Sequence, residues 1–378
     1  MIQIRQMPRA AFTRAIPALV FFATAALYIR TSAPTLGGGF DSEEFQHAAY
    51  TLGIAHATGY PLYLLLGKLF GTLVPIGNFA YRMNLLSAFI GAGAATLVYT
   101  IAVHLTRQQI ASLSAAALFA TNVAVWRQSG AASVGPLTML FMGAGVYSVL
   151  LWRQRRVSLS IVALTCGLAL THHHSFLLFF PIIILFILFS DPDIRHRPHE
   201  LTRGFVWFLI PLLIYLYIPL RGSVSGWYHS TLDIFFMPPE TGASDFFRTS
   251  QAGLAQAAST LFVFLWSSLT PLGWLVILLG AVSLFPQIGR WQSAIGDSKV
   301  SSFFGLAACF FVVIGLSFGG EPDRYESLPL FFLVFWFAVG CAFLQNLATA
   351  RVQVAHAIHR PNRRGYSRRA TDRSHFSR

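Results

Sequence analysis

GGGFDSEEFQHAAYTLGIAHATGYPLYLLLGK, residues 37–68, followed by YRMNLLSA at 81–88, lies between two oily segments. It gathers three carboxylates (Asp41, Glu43, Glu44), two histidines (His47, His56) and Lys68 in an otherwise strongly hydrophobic chain. Acids placed just after a first spanning helix sit at the membrane surface. They suit an enzyme or a transporter better than a purely structural protein. Gly37, Gly38 and Gly39 permit a tight entry that presents Asp41 near a helix start. Glu43–Leu52 reads as a short helix, and a second helix begins after Pro61, whose fixed φ suits an early helical position.

The rest of the chain supplies the lipid setting. Of 378 residues, 55% are hydrophobic and 11% charged, with a mean hydropathy of +0.59. A soluble globular protein carries roughly twice that charged fraction. Cys166, Cys309 and Cys341 all fall in apolar runs, so neither a disulfide framework nor a CxxC site follows. The net charge of +13 does not point to nucleic acid, because eight of the 27 basic residues lie from Arg351 onward with no patterned aromatics to stack bases. Such a tail suits anionic lipid headgroups at the cytosolic surface. Residues 1–350 thus read as one transmembrane domain and 351–378 as a basic, disordered tail.

Apolar windows near 15–30, 82–104, 108–126, 134–152, 157–171, 174–190, 204–220, 266–286, 302–318 and 327–347 give an all-α, polytopic membrane protein with about ten crossings. The first is read as an uncleaved helix, since no convincing small-x-small cleavage site follows it. With the N-terminus inside, 20 basic residues fall on the cytosolic side and seven outside: Arg30, Lys68, Arg82, Arg127, Arg221, Arg248 and Arg324. Nine of the fourteen acids fall outside. The non-cytosolic face, with outer loops at 31–81 and 221–265, therefore holds the chemistry. In the second loop Ser250–Thr260 reads as a surface helix leading into the membrane.

Asp41 and Glu44 are three residues apart and can share one face of a helical turn. One of them can serve as a general base toward an acceptor hydroxyl; equally, both can be cap and first-turn acids that favour the helix dipole. Arg82, Arg127, Arg221 and Arg324 each stand at a membrane boundary on the same side. They could clamp a phosphate at headgroup level or snorkel to lipid phosphates. The run THHHS at 171–175 could hydrogen-bond a sugar or phosphate through His173 and His174. Adjacent histidines point apart, so at most one or two could join Asp41 or His56 around a divalent metal. No metal site and no cofactor is assigned on this pattern. Trp126, Trp227 and Tyr228 suit either a sugar face or an interfacial aromatic belt.

At these residues the sequence resembles the bacterial relatives of the eukaryotic multi-spanning O-mannosyltransferase-like proteins, within the GT-C glycosyltransferase superfamily. That family reads GGDSGE near the first outer loop, then HPPGYPLY, then R-x-N-L-x-S-A. This chain has GGFDSEEF at 38–45, HATGYPLY at 56–63 and RMNLLSA at 82–88. LTHHHS at 170–175 and YIPLRGSVSGW at 217–227 are similar to later family segments, and EPDRYESLP at 321–329 loosely resembles a late acidic, tyrosine-containing loop. The departures are Ala57-Thr58 for the proline pair, Glu43 for the glycine before the second acid, and SVGPL at 133–137 where relatives carry an acid.

The resemblance implies a GT-C-like fold. It also implies transfer of a sugar from a polyprenyl-phosphate donor to an acceptor hydroxyl on a protein, lipid or envelope glycan, with inversion. It implies Asp41 at the catalytic centre with Glu44 as the second acid, in a bacterial inner membrane with both termini cytoplasmic. Arg221, Arg324, Arg82 and Arg127 would bind the donor phosphate, and His56, Tyr60, His173, His174 and Trp227 the sugar or acceptor. The rival readings are a transporter or flippase of a lipid-linked anion, expected to bury charges or breaks inside several helices, and an inactive accessory protein, for which the absent acid at 133–137 speaks.

Overall fold

Among the described residues every regular element is a helix. The structure is a computed structural model, and it describes residues 9–37, 39, 41–56, 58–174, 176–222, 251–283, 300, 303–309, 312 and 322–358. Helix α1 (Arg9–Thr31) is followed by two short helices, α2 (Ser42–Thr51) and α3 (Pro61–Leu73), then by α4 (Phe79–Thr106), α5 (Gln109–Ala120), α6 (Val123–Ser129) and α7 (Gly135–Arg153). Next come α8 (Leu159–His172), α9 (Phe176–Ser190) and α10 (Pro198–Leu212), with a 3-10 turn at Pro192–His196 before α10 and another at Leu213–Leu216 after it. The last are α11 (Tyr217–Arg221), α12 (Gln251–Val282) and α13 (Pro322–Ile358).

The two short helices anticipated between the first spans are α2 and α3, with Pro61 in the first turn of α3. Longer helices arise where Ala, Gly, Leu and Val run without a breaker. Asn78 caps α4 by accepting the Tyr81 N–H at 2.8 Å, and the helix then continues for 28 residues. Helix α4 is the hub of the bundle and packs against α1, α5 and α7; α8 pairs with α10, and α12 with α13. Close crossings need glycine. A Cβ on Gly340 would run into the Val276 carbonyl of α12, and one on Gly167 into the Phe208 carbonyl of α10.

The expected count of about ten crossings is not reached in the described residues. Six helices are long and apolar enough to span: 14–31, 79–106, 135–153, 198–221, 255–282 and 328–352. A seventh follows if α5 and α6, bent by 65° at Thr121–Asn122, count as one broken span. The windows at 157–171 and 174–190 became α8 and α9, of 14 and 15 residues. Such lengths reach about 21 Å, short of a hydrocarbon core of about 30 Å. His172–His174 end α8 and separate it from α9. Most of the 302–318 window lies outside the described residues.

Two further expectations change. The surface helix at 250–260 is the start of α12, which runs on to Val282 with a break at Thr270 (φ 57°, ψ 161°) ahead of Pro271. The tail boundary at 351 moves outward, because α13 continues to Ile358.

Large aromatics fill the main core. Phe119, Phe179, Phe304, Phe331, Phe332 and Phe335 are buried, and Phe331 meets Phe335 edge-on at 5.4 Å. A second cluster of Phe45, Ala49, Tyr60, Tyr63, Leu64, Met83, Ala132, Val134 and Leu137 lies beneath α2 and α3. Phe205, Leu209 and Ile210 along α10 and Leu213 and Leu216 in the turn after it are exposed, as a surface bathed in lipid requires. The molecule is a multi-pass membrane protein.

The ends of the bundle differ in chemistry. One gathers α2, α3, the start of α4 and the ends of α8 and α11. The other carries Arg107, Arg153, Arg155, Arg156, Arg195, Arg197 and Arg203, where Arg155 donates to Asp191 at 2.8 Å. Arg197 also pairs with Asp191 and reaches Glu200 at 2.9 Å.

Candidate active site

Asp41 takes the N-cap position of α2 and makes no side-chain cap bond, with Glu43 and Glu44 in the first turn. One turn on, Glu44 turns toward the loop between α2 and α3. Its Oε1 accepts the His56 backbone N–H at 2.6 Å and its Oε2 accepts from His56 Nδ1 at 2.6 Å. On the far side of the ring, Nε2 lies 3.2 Å from the Tyr60 hydroxyl and 3.7 Å from Asp41 Oδ2. The Asp41 and His56 side chains each retain 30% exposure. Asp41, Glu44 and His56 thus form one corner, with Glu44 tied to the imidazole and not set as a second acid facing Asp41.

The loop that carries His56 is shaped by unusual backbone. Leu52 (φ 53°) closes α2 and Tyr60 (φ 47°) opens α3, both in the left-handed region, with Gly59 (φ 78°) beside it. A bulky side chain there costs roughly 1–2 kcal/mol. Packing holds it: the Tyr60 ring meets Phe45 at 5.1 Å and His56 at 5.2 Å.

The three consecutive histidines separate, as expected. The His173 ring lies tilted against Tyr60 at 5.4 Å and so joins the corner. His174 faces Tyr215 at 5.6 Å. His172 is buried, with Nε2 against the Val134 carbonyl at 3.1 Å and Thr138 Oγ1 at 3.0 Å, and no partner at Nδ1. A carbonyl only accepts, so Nε2 carries the proton.

Arginines brace the corner. Arg221 on α11 donates from Nε to the Leu52 carbonyl at 2.6 Å and from Nη2 to Thr51 at 3.1 Å, satisfying the last carbonyls of α2. Tyr217, one turn earlier, donates to the Gly53 carbonyl at 2.6 Å. Arg82 donates to the carbonyls of Gly71, Ile76 and Gly77 at 2.7, 3.1 and 2.9 Å, closing the α3–α4 turn. Arg127 lies exposed on α6, next to Trp126, whose Nε1 donates to Thr31 at 2.8 Å. Arg324 falls in the first turn of α13, so the loop expected at EPDRYESLP is helical from Pro322. Trp227 lies outside the described residues.

Sequence reasoning missed the polar hub underneath. Asn84 is fully buried: its Oδ1 accepts from Gln46 Nε2 and from the Ala132 N–H, both at 2.8 Å, and its Nδ2 donates to Ala33 at 2.8 Å. Ser87 meets the Tyr63 hydroxyl and the Ser133 N–H, each at 3.2 Å. The available signal was two polar residues three apart at the start of an apolar span. The same contacts explain 133–137, where Ser133 and Val134 are buried connectors between α4 and α8.

Asp41, Glu44 and His56 are the group among the described residues whose ligand-type atoms lie within 4.8 Å of one another. A cation held by His56 Nε2 and Asp41 Oδ2, which stand 3.7 Å apart, would leave the Nδ1 bond to Glu44 in place.

Residues 41–195 match the family described as the N-terminal domain of protein O-mannosyl-transferase TMEM260. The chain is 35% identical over 217 residues to protein O-mannosyl-transferase TMEM260 of Mus musculus, covering 54% of this chain and 30% of that protein. It is 22% identical over 332 residues to its Dictyostelium discoideum counterpart, covering 79% of this chain and 40% of that protein. The chain therefore spans less than half the length of these curated relatives. The crystal structure of ArnT from Cupriavidus metallidurans bound to undecaprenyl phosphate superposes with a TM-score of 0.58 at 13% identity, covering 88% of this chain and 59% of that one. The fold is similar to that of the ArnT structure. Over residues 41–195 the chain is similar to the O-mannosyl-transferase N-terminal domain.

Proposed function

We propose that the protein transfers a sugar from a polyprenyl-phosphate donor to an acceptor hydroxyl, at the end of the bundle that carries α2 and α3. The carrying observation is the partly exposed Asp41 beside the Glu44–His56 pair, within the segment that matches the O-mannosyl-transferase domain. Asp41 takes the hydroxyl proton as the acceptor oxygen attacks the anomeric carbon, and the bond to the lipid phosphate breaks on the opposite face, with inversion. The phosphate leaves as an anion, so no second carboxylic acid is needed to expel it.

Arg221 and Arg82 hold the site's backbone, yet a guanidinium carries five N–H donors, so bracing does not exhaust either. With Arg127 and Arg324 they are the proposed phosphate ligands. Tyr60, His173, His174 and Trp227 are the proposed sugar or acceptor contacts. The names of the relatives favour mannose and a protein serine or threonine. We place this end of the bundle outside the cytoplasm of a bacterial inner membrane, because the opposite end carries the arginines, and assign anionic lipids to the basic tail.

The test is transfer from a panel of labelled polyprenyl-phosphate sugars, mannose first, to serine- and threonine-rich peptides and envelope acceptors. Purified wild type in lipid is compared with Asp41→Asn. Transfer that disappears in the folded Asp41→Asn protein supports the reading. Donor binding without transfer by either protein would turn it toward transport or an inactive binding role.

A further inference from the structure

We infer that His56, fixed by Glu44, is the group to which Asp41 passes the proton it takes from the acceptor hydroxyl, making His56 and Glu44 a proton-relay pair. The inference rests on the transfer reading above and adds a step to it.

Tautomer and direction carry the argument. Glu44 accepts both the backbone N–H and the Nδ1–H of His56, at 2.6 Å each. Two bonds to one residue fix the ring's rotation as well as its proton. With Nδ1 protonated, Nε2 carries the lone pair, and it points to the side where Asp41 Oδ2 stands at 3.7 Å and the Tyr60 hydroxyl at 3.2 Å. The Tyr60 hydroxyl both donates and accepts. It can donate to the resting Nε2 and turn away, or turn to accept, once that nitrogen gains a proton.

The proton balance closes. The acceptor oxygen forms its bond to the anomeric carbon, the carbon–phosphate oxygen bond breaks, and its electron pair leaves with the lipid phosphate. The hydroxyl proton goes to Asp41 and then to His56 Nε2. The Nε2 lone pair is the acceptor that faces Asp41 Oδ2 across 3.7 Å, and the second transfer crosses that gap. The imidazolium formed would sit between two carboxylates, a favourable place for a cation. Asp41 is returned to its anionic form, and the proton leaves to solvent through the exposed side of the ring.

Among the described residues, the charged and titratable groups around His56 are few. Asp41 and Glu44 come from α2 and its cap, and Tyr60 from the start of α3. His173 reaches the Tyr60 ring from the α8–α9 turn. Arg221 holds the Thr51 and Leu52 carbonyls from α11. A pair serving stability alone would not need its imidazole left at the surface beside a second acid, nor Tyr60 held in a left-handed conformation against it.

The test uses the full chain in lipid nanodiscs with 15N-labelled histidine, the His56 signal being assigned by its loss in His56→Gln. Wild type should show the Nδ1–H neutral tautomer, and Glu44→Gln a mixture; an Nε2–H tautomer in wild type overturns the relay. Transfer is then followed from polyprenyl-phosphate mannose to a serine/threonine peptide, with the other panel donors if mannose is not taken. His56→Gln should lower kcat on the order of 100-fold with KM unchanged, and Glu44→Gln should lower it less. A folded His56→Gln protein with wild-type kcat overturns the relay and leaves the transfer reading standing. A wild-type protein inactive with every donor overturns the transfer reading, and the relay with it.

Discussion

Asn84 shows how much one side chain can decide. Its amide joins α2 through Gln46, the start of the α1–α2 connection through Ala33 and Thr35, and the α6–α7 turn through Ala132. Asn84→Ala would strand the buried Ala132 N–H and remove the shorter of the two bonds that Gln46 Nε2 donates. A stranded group costs about 1–3 kcal/mol, so a clear fall in thermal midpoint in detergent is expected, together with loss of transfer. An unchanged midpoint would show that the hub holds nothing. At Tyr60 the expectation is narrower. Tyr60→Phe keeps the ring contacts with Phe45 and His173 and removes only the hydroxyl at His56 Nε2. The fold should be unaffected and kcat should fall several-fold, measurable in the transfer assay.

The site depends on a short helix that others hold in place. Helix α2 has ten residues, too few to be stable alone in water. It is fixed by Phe45, Ala48 and Ala49 packing beneath it and by Arg221 across its last carbonyls. Arg221→Met keeps the length of the side chain and removes the donors, leaving the Thr51 and Leu52 carbonyls without their charged partner. Charge-assisted bonds are worth about 1.5–3 kcal/mol, so hydrogen exchange should quicken at residues 51–56 while α7 stays protected. Weaker donor binding with unaltered exchange would instead make Arg221 a phosphate ligand only. The YIPLR segment is thus a prop for the first loop, a role that a span count alone does not suggest.

At the scale of the whole molecule, the arginine-rich end makes a pH prediction. The Arg197 hydrogen bond to Asp191, with Arg155 adding to it, holds the Asp191 carboxyl below its usual range. The group is depressed in the folded state, so its contribution is present above the ordinary carboxylate range. It is lost as pH falls through the lowered value. Asp191→Asn should therefore lower the thermal midpoint at pH 7, and the gap from wild type should close on acidification below about pH 4. A gap that persists in acid would show the pair is not electrostatic. The same charge asymmetry carries the proposed orientation to a test. With the native cysteines replaced, a cysteine at exposed Leu36 should react with an impermeant maleimide in intact cells, and one at Arg195 only after lysis. Reaction at both positions in intact cells would reject the assignment.

Composition and the spacing of apolar windows sufficed for an all-helical membrane chain, because lipid leaves a spanning segment little choice but to satisfy its own backbone. Proline and glycine placement likewise located α2 and α3, and the motifs at 38–45, 56–63 and 82–88 drew attention to the candidate site. What tertiary structure alone decided is which partner each polar group chose. Nothing local couples Glu44 to His56, twelve residues away, or directs Arg221 to carbonyls some 170 residues earlier. Nor does local sequence place Asn84 at the meeting of three segments. Short apolar runs were ambiguous for a related reason. Hydropathy measures how oily a segment is, whereas the breaks at His172–His174, Thr121–Asn122 and Thr270 depend on which neighbours take up the freed backbone groups.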